Sequence, residues 1–283
     1  MTGRTPVVLT NGTWHGSWCW SLVVRHLSAA GTPAASVELE GFGGLRGYWA
    51  ASGRTRVFDE AAMLSRRSPL AEITLSSAAD ALVADLRAIS GHEACLLVAH
   101  SLGAAVATAA AEAAPELVAG LVYVSGLVPV NGLPAGAYND MEEMRDSLLP
   151  ANFVADPFVI GALRGDMLDP SRRAHAKQTF YNDVDDTLAE AALSMLSTDA
   201  PLGPGLEPVS VTRERFGSIP HTYVLCLRDN AIRPALQRRL ITEIDAVSAA
   251  PTTVIELDTS HSPFLSRPRE LAEIINGANR VSC

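Results

Sequence analysis

The sequence has little positive charge: it contains a single lysine, Lys177, and arginine supplies the rest of its basic side chains. Its 22 basic residues are outnumbered by 31 acidic ones, which gives a formal net charge of −9. Nucleic acids and anionic membrane surfaces both require a basic face on the protein that binds them. The composition therefore argues against both as partners.

Cysteine is also scarce, and the chain carries it at four positions: Cys19, Cys95, Cys226 and Cys283. These positions include no C-x-x-C pair and no spacing typical of metal ligands, so we expect no disulfide framework and no metal. No charged segment followed by an apolar one precedes the first predicted strand, as a signal peptide would require. The alanine-rich stretch 104–120 is too short, and too interrupted by charge, to span a bilayer. We expect a cytoplasmic protein that is a monomer or a homodimer.

Short apolar runs alternate with longer segments that have apolar residues at helical spacing. The predicted strands are 7–10, 34–39, 94–100, 118–126, 221–227 and 252–258. The predicted helices are 16–31, 76–90, 101–117, 234–247 and a last one from about Pro268. Strands that are apolar on both faces, each followed by a helix, predict an α/β fold with a parallel sheet covered on both sides. Right-handed crossovers then place the carboxyl ends of the strands at one edge, where such sheets bind ligands.

The alternation breaks between about 128 and 215, where helical segments are punctuated by proline and glycine. We therefore expect one structural domain, with a core formed by 1–127 and 216–283 and a helical cap formed by 128–215. The cap would be inserted after the fourth strand. A second irregular segment, 41–69, is long for a loop, and we expect it near the ligand-binding edge.

The stretch LLVAHSLGAAVA (96–107) passes from an apolar strand through Ser101 directly into an alanine-rich helix. This pattern is typical of a nucleophile elbow, a tight turn that exposes a serine hydroxyl. The turn needs small residues two positions before and after the serine, and Ala99 and Gly103 meet that need, although glycine is commoner at the first position. The alternative, a serine that only caps the helix, does not explain the small residues. We predict that Ser101 is a nucleophile.

A nucleophilic serine needs a general base, and the base needs an acid that orients it. In folds with this elbow, the acid and then the histidine follow the serine along the chain. His261 lies just after the last predicted strand, and Asp229 lies just after the strand before it, so both fall at the ligand-binding edge. The remaining histidines precede or adjoin the serine, or lie in the cap or at the opposite edge of the sheet. A turn or helix-cap role is the alternative for Asp229.

Two other positions are alternatives for the acid. Some related enzymes take it from the end of the strand that follows the elbow, but here that strand ends at Ser125, which has no carboxylate. Asp258 is only three residues before His261, too close to orient its imidazole. Asp229 therefore remains the predicted acid.

These residues, in this order, resemble the α/β-hydrolase superfamily, and more narrowly the plant methylesterase and hydroxynitrile lyase group with its bacterial relatives. Five stretches that span nearly the whole chain carry the resemblance: VVLTNGTWHGSWCW, VAHSLG, YND, RDNAIRPALQRRL and SHSPFLSRP. The resemblance implies the α/β-hydrolase fold, with Ser101 as nucleophile, Asp229 as acid and His261 as base. It also implies an oxyanion hole formed by the backbone N–H groups of Thr13 and Leu102.

The chain departs from the lyases of that group at two positions. The lyases carry a threonine where this chain has Gly12 and a lysine where it has Ser262, and these residues handle the hydroxyl and the cyanide of a cyanohydrin. Cyanohydrin cleavage is therefore not expected. Asn11 replaces the group's histidine, but the hole is built from backbone, so a polar side chain that bonds locally can hold the turn.

The sequence thus predicts a cofactor-independent serine hydrolase that cleaves a carboxylic ester or lactone of a small, largely hydrophobic molecule through an acyl-enzyme. No phosphate-binding glycine loop in the required register, metal cluster or cofactor lysine is evident. We expect Gly12, Trp14 and Tyr181 to contact the substrate, and further aromatic candidates are Trp18, Trp20, Trp49, Phe153, Phe158 and Phe180. Two alternatives stay open: a tailoring enzyme that cyclises, lactonises or rearranges a natural product by proton transfer, and a non-catalytic small-molecule receptor.

Overall fold

The computed structural model describes residues 5–48, 59–91 and 93–281, so the expectations for Trp49 and the rest of 49–58 lie outside the described residues. The strands are β1 (Val7–Thr10), β2 (Ala34–Val37), β3 (Cys95–His100), β4 (Val118–Val124), β5 (Ala162–Arg164), β6 (Asp199–Pro201), β7 (His221–Cys226) and β8 (Thr253–Leu257). Six of them form one parallel sheet in the order β2-β1-β3-β4-β7-β8, and β5 and β6 form a separate antiparallel pair. The parallel sheet confirms the predicted fold class.

The sheet has a hydrophobic core on each face. The helices are α1 (Ser21–Ala29), α2 (Glu60–Ser65), α3 (Leu75–Ser90), α4 (Gly103–Ala113), α5 (Pro157–Ile160), α6 (Pro170–Phe180), α7 (Asp186–Met195), α8 (Pro234–Val247), α9 (Pro263–Ser266) and α10 (Pro268–Val281). Val8 and Leu97 point into the core with α3, α4 and α8, whereas the adjacent residues Val7 and Leu96 point into the core with α1 and α10. Successive strand residues face opposite sides of a sheet, so strands buried on both faces must be apolar throughout.

Local sequence signals set the ends of the helices. Thr74 and Ser77 form a reciprocal capping box at the start of α3, and Gly91, with a φ of +62°, ends it. Proline begins α8 at its first position. The first helix is shorter than the predicted range 16–31. Ser17–Trp20 form a 3₁₀ turn, and α1 begins only at Ser21.

The segment between β4 and β7 contains α5, α6, α7, several 3₁₀ turns and the β5–β6 pair. A buried ion pair joins these two strands: Arg164 Nε and Nη2 donate to the carboxylate oxygens of Asp199 at 2.6 and 2.7 Å. Arg164 Nη1 also donates to the carbonyls of Met63 and Arg66 at 2.9 and 3.0 Å, where α2 ends. The ion pair therefore attaches α2 to the insertion. The domain boundaries at 128 and 215 stay a prediction.

Within the described ranges, no helix is both long enough and apolar enough to cross a membrane.

Candidate active site

Ser101 occupies a strained turn between β3 and α4. Its φ is +54°, in the left-handed region that non-glycine residues rarely adopt. The N–H groups of Ala104 and Leu127 both donate to its carbonyl at 3.0 Å, which holds the turn. A Cβ added at Gly103 would lie 2.2 Å from the carbonyl oxygen of Asn11, so a side chain there would force the elbow and the end of β1 apart. These features explain the small residue that the elbow pattern requires after the serine.

His261 and Asp229 form a buried hydrogen-bonded pair at the carboxyl edge of the sheet. Nδ1 of His261 lies 2.8 Å from Oδ2 of Asp229, and the two residues are 2% and 0% exposed. Oδ1 of Asp229 accepts the N–H groups of Ala231 and Ile232 at 2.7 and 2.9 Å, and Nε2 of Gln237 donates to Oδ2 at 3.2 Å. The carboxylate is therefore fixed in place, and it leaves Nε2 of His261 as the ring nitrogen that can act on other groups.

Ser125, the first residue after β4, also touches this pair. Its hydroxyl donates to Oδ2 of Asp229 and lies 3.2 Å from Nδ1 of His261. Ser125 is fully buried and has a φ of +45°. Sequence reasoning considered this position only as an alternative place for the acid and missed the contact. The signal available was its place at the carboxyl end of the strand beside the elbow.

His100, which adjoins Ser101 and is set aside as the base for that reason, contacts His261 instead. Its Nε2 donates to the carbonyl of His261 at 3.0 Å, and the two ring centroids are 4.5 Å apart. Burial lowers the pKa of His100, and the neighbouring histidines His261 and His15 lower it further. His100 is therefore a neutral donor that holds the loop carrying His261.

The turn after β1 presents the N–H of Thr13. The Gly12 carbonyl accepts hydrogen bonds from Asn11 Nδ2 at 3.1 Å and from the N–H of His15 at 3.2 Å. Asn11 Nδ2 also donates to the carbonyl of His15, and its Oδ1 accepts the N–H of Leu39 at 3.2 Å. In a trans peptide the carbonyl and the following N–H point in opposite directions. Holding the Gly12 carbonyl on one side therefore aims the Thr13 N–H to the other side.

Ser101, His261, Thr13 and Leu102 line one cavity of about 440 Å³. The rest of its wall is mostly apolar and consists of His15, Leu127, Pro134, Ala135, Gly136, Ala137, Asn139, Asp140, Met144, Leu149, Phe153, Pro157, Phe158, Leu163, Phe180, Leu202, Gly205, Leu206 and Ile232. None of these lining residues is lysine or arginine, and Asp140 is the acidic one. The cavity thus joins a polar end, which contains Ser101, to an apolar chamber.

Three residues expected to contact the substrate, Gly12, Trp14 and Tyr181, are not among the residues that line this cavity, so their contact with the substrate stays a prediction. Trp14 is fully buried behind the wall, where its Nε1 donates to the carbonyl of Leu163 at 2.8 Å. Tyr181 is also fully buried, and its hydroxyl lies 2.7 Å from Nε2 of His15. Gly12 packs against Ser101 from outside the cavity. The two aromatic side chains pack in the hydrophobic core, and their polar atoms form hydrogen bonds within the protein.

The other aromatic candidates divide between the cavity and the core. Phe153, Phe158 and Phe180 line the cavity, whereas Trp20 is fully buried away from it. The described parts of the irregular segment, 41–48 and 59–69, contribute no residue to the cavity wall. Gly43 nevertheless packs against the carbonyl of His15, which lines the cavity, so this part of the segment lies near the ligand-binding edge. His15 does line the cavity, and sequence reasoning, which weighed it only as a base, missed it.

Comparison with known proteins agrees with this architecture. Residues 7–274 match the family model described as the alpha/beta hydrolase family. A putative chloroplastic methylesterase 14 from Arabidopsis thaliana is 27% identical over 275 residues, which cover 95% of this chain and 70% of that protein. Methyl jasmonate esterase 1 from Vitis vinifera is 26% identical over 273 residues, which cover 93% of this chain and 92% of that protein.

The crystal structure of a pyrethroid hydrolase from Sphingobium faniae JZ-2 shares the fold. It superposes with a TM-score of 0.75 at 22% identity, covering 98% of this chain and 97% of that chain. The family model spans almost the whole sequence, and the related proteins are named as methylesterases and hydrolases. The chain therefore belongs to the alpha/beta hydrolase family, and it is an esterase-like enzyme of that family.

Proposed function

We propose that this protein is a cofactor-independent serine hydrolase that cleaves a carboxylic ester or lactone of a small, largely hydrophobic molecule through an acyl-enzyme. One observation carries the proposal: Ser101 and His261 line the same apolar cavity, and His261 Nδ1 lies 2.8 Å from the buried carboxylate of Asp229. The names of the relatives, which include methylesterases and a methyl jasmonate esterase, support ester cleavage as the reaction class.

In the proposed acylation, Nε2 of His261 takes the proton of the Ser101 hydroxyl as Oγ attacks the carbonyl carbon of the ester. The carbonyl oxygen becomes an oxyanion and accepts hydrogen bonds from the N–H groups of Thr13 and Leu102, each worth about 2.7–4 kcal/mol to the transition state. Among the hydrogen bonds of the described residues, neither of these N–H groups donates to a protein acceptor. Both are therefore available to the substrate.

The tetrahedral intermediate then collapses. His261 returns its proton to the leaving alkoxide, the bond from the carbonyl carbon to that oxygen breaks, and the acyl group stays on Ser101. In deacylation, water loses a proton to His261 Nε2 and attacks the acyl carbon. The bond from that carbon to Ser101 Oγ then breaks, His261 returns the proton to Oγ, and the carboxylic acid is released. Asp229 orients the ring through Nδ1 and stabilises the imidazolium that forms in each half of the reaction.

The walls of the cavity define the proposed substrate class. A wall with no lysine or arginine offers no partner for a carboxylate or phosphate, whereas leucine, methionine and phenylalanine side chains favour apolar groups. A cavity of about 440 Å³ suits a small molecule. We therefore expect an uncharged substrate whose acyl or alcohol part is hydrophobic.

The test uses p-nitrophenyl acetate and a serine-directed fluorophosphonate. Ser101→Ala should lower kcat by at least about 10³-fold and should abolish the mass increase that the fluorophosphonate produces on the tryptic peptide containing residue 101. Ser28→Ala, a change of an exposed serine in α1, is the matched control and should behave as wild type. A Ser101→Ala protein with full activity would show that another group performs the chemistry.

A substrate panel tests the proposed specificity separately. Neutral p-nitrophenyl esters with hydrophobic acyl groups should have a kcat/KM at least about tenfold above that of an ester whose acyl chain ends in a carboxylate. Turnover without a covalent intermediate and without a need for water would instead favour a rearranging or cyclising enzyme.

A further inference from the structure

A hydrogen-bonded relay runs from the inserted segment to Thr13, which lines the cavity. The Tyr181 hydroxyl lies 2.7 Å from Nε2 of His15, and Nδ1 of His15 lies 2.9 Å from the Thr13 carbonyl oxygen. A carbonyl oxygen can only accept, so Nδ1 of His15 carries the proton. Nε2 of the neutral ring then has a lone pair, which accepts the hydrogen bond that the tyrosine hydroxyl donates.

The surroundings keep both groups in these protonation states. His15 and Tyr181 are 1% and 0% exposed. Burial lowers the pKa of His15 to about 4, so the ring is neutral at pH 7, and burial raises the pKa of Tyr181, so its hydroxyl keeps the proton that it donates. Both hydrogen bonds are therefore donated in the same direction, from Tyr181 to His15 and from His15 to Thr13.

Aromatic packing prevents the His15 ring from turning. Trp18 stacks on one face of it, with ring centroids 5.6 Å apart and planes inclined by 23°. Phe180 and Phe264 meet it edge-on, with centroids 6.1 and 5.7 Å away. Because the ring is held in this way, the position of the Tyr181 hydroxyl on one side fixes the position of the Thr13 carbonyl on the other.

The relay completes the support of the turn that contains Thr13. The peptide before Thr13 is fixed because the Gly12 carbonyl accepts from Asn11 and from the N–H of His15. The peptide after it is fixed because the Thr13 carbonyl accepts from the His15 ring. The Thr13 backbone is thus held from both sides, and one of these supports depends on Tyr181, which follows α6 in the insertion.

We propose that His15 and Tyr181 are positioning residues that couple the insertion between β4 and β7 to the oxyanion hole. This inference depends on the proposed function, because it assigns Thr13 N–H to the oxyanion. Neither residue takes part in proton transfer. Their effect is to keep the Thr13 N–H aligned with the developing charge. Loss of the Tyr181 hydroxyl, which lies outside the cavity wall, should therefore slow the chemical step with little change in substrate binding.

Tyr181→Phe is the sharpest test, because it removes one hydroxyl and keeps the packed ring. On a p-nitrophenyl ester, kcat should fall about tenfold while KM changes less than twofold, a smaller effect than the 10²–10³ expected when a donor is removed outright. The rate of fluorophosphonate labelling at Ser101 should fall by a similar factor. Tyr123→Phe, which also removes a buried tyrosine hydroxyl (this one bonded to Thr108), is the matched control and should leave both rates unchanged.

A structural measurement accompanies the kinetics. In ¹H–¹⁵N spectra of the imidazole nitrogens, the His15 signals are those absent from His15→Asn. In the wild type, the His15 signals should show a proton on Nδ1. In Tyr181→Phe, the Nε2 resonance should move to the position of a ring nitrogen that accepts no hydrogen bond. If Tyr181→Phe kept the wild-type kcat and labelling rate, this inference would be overturned but the proposed function would stand. The same would follow if Tyr123→Phe lowered both rates as much as Tyr181→Phe does. A wild-type protein that the fluorophosphonate does not label would overturn the proposed function and this inference with it.

Discussion

Gly12 packs directly against Ser101: a Cβ added at Gly12 would lie 2.6 Å from the Cβ of Ser101 and 2.8 Å from Nδ1 of His100. Real Cβ atoms do not approach other atoms this closely, so a side chain at position 12 must displace the elbow. The sequence identified Gly12 as one of two residues that separate this chain from the lyases. The structure adds that, in this chain, the close approach of Ser101 requires glycine there.

We therefore predict that Gly12→Ala lowers kcat/KM by about 100-fold or more, because a shift of the order of 1 Å at the nucleophile can cost that much. Steady-state kinetics with a p-nitrophenyl ester measures the loss, and circular dichroism checks the fold. Gly277→Ala is the matched control, since a Cβ at that helical position meets nothing within 4 Å. If Gly12→Ala kept its activity within twofold of wild type, the turn containing Ser101 would be able to accommodate a methyl group without losing its catalytic geometry.

The hydroxyl of Ser125 should contribute to catalysis through Asp229. It donates to the carboxylate oxygen that also faces His261, so its loss leaves that buried oxygen with one donor fewer. We expect Ser125→Ala to lower kcat about tenfold, corresponding to about 1.4 kcal/mol. Because φ at this position is +45°, Ser125→Gly serves as a second variant that removes the hydroxyl without backbone strain. Equal losses in the two variants would identify the hydroxyl as the cause, and no loss in either would contradict the prediction.

Much of the fold could be predicted because burial on both faces makes strands apolar over most of their length, as in 95–99 and 223–226, and helical spacing marks α3 and α8. The β5–β6 pair could not, since strands of three residues are too short to show periodicity. Asp229 and His261 were placed together because the carboxyl ends of parallel strands share an edge. The contacts of Ser125 and His15 depend on side-chain geometry across separate elements, which no local pattern encodes.

The Arg164–Asp199 pair should stabilise the insertion strongly. The two side chains are 1% and 0% exposed, so Arg164→Met leaves a buried carboxylate without its cation. We predict a loss of about 3–5 kcal/mol in the free energy of unfolding, measured by urea denaturation. Arg67→Met removes an exposed pair with Glu72, whose side chains are 62% and 85% exposed, and should cost less than about 1 kcal/mol. Equal effects of the two changes would mean that the buried pair contributes no more to the free energy of unfolding than the exposed pair does.

Acid should destabilise the fold through its buried histidines, and His221 offers a test away from the cavity. Burial lowers the pKa of His221 to about 4, against the opposing attraction of Asp245, whereas the unfolded chain has a value near 6.5. Between these two pH values the unfolded state binds more protons, so stability is fully present above pH 6.5 and falls as the pH falls towards 4. His15 and His100 act in the same direction.

We expect the free energy of unfolding to drop between pH 7 and pH 5, and the drop to be about 2 kcal/mol smaller in His221→Phe. Urea titrations at the two pH values measure this difference. Ser248→Ala removes the hydroxyl that lies 3.2 Å from Nδ1 of His221 but keeps the imidazole, so its pH dependence should match the wild type. An unchanged pH dependence in His221→Phe would show that this ring does not contribute.

Asn11 acts by holding the turn before Thr13, and three substitutions separate this role from substrate contact. Its amide donates to the carbonyls of Gly12 and His15 and accepts from the N–H of Leu39, and the residue is fully buried outside the cavity wall. Histidine can still donate with one ring nitrogen and accept with the other, so Asn11→His should keep kcat/KM within about tenfold of wild type. Asn11→Leu can do neither and should lose about 100-fold or more.

Asn11→Asp is the isosteric comparison for this position, because it keeps the acceptor for Leu39 but loses both donors and sets a carboxylate against two carbonyl oxygens. We expect its kcat/KM to fall as far as that of Asn11→Leu, since the Gly12 carbonyl then keeps only the N–H of His15 as a donor and is repelled by the carboxylate, which shifts the Thr13 N–H. Kinetics on one p-nitrophenyl ester ranks the three variants. A large loss in Asn11→His combined with a mild one in Asn11→Asp would mean that size rather than hydrogen bonding decides, and the support of the oxyanion turn would then have to come from His15 alone.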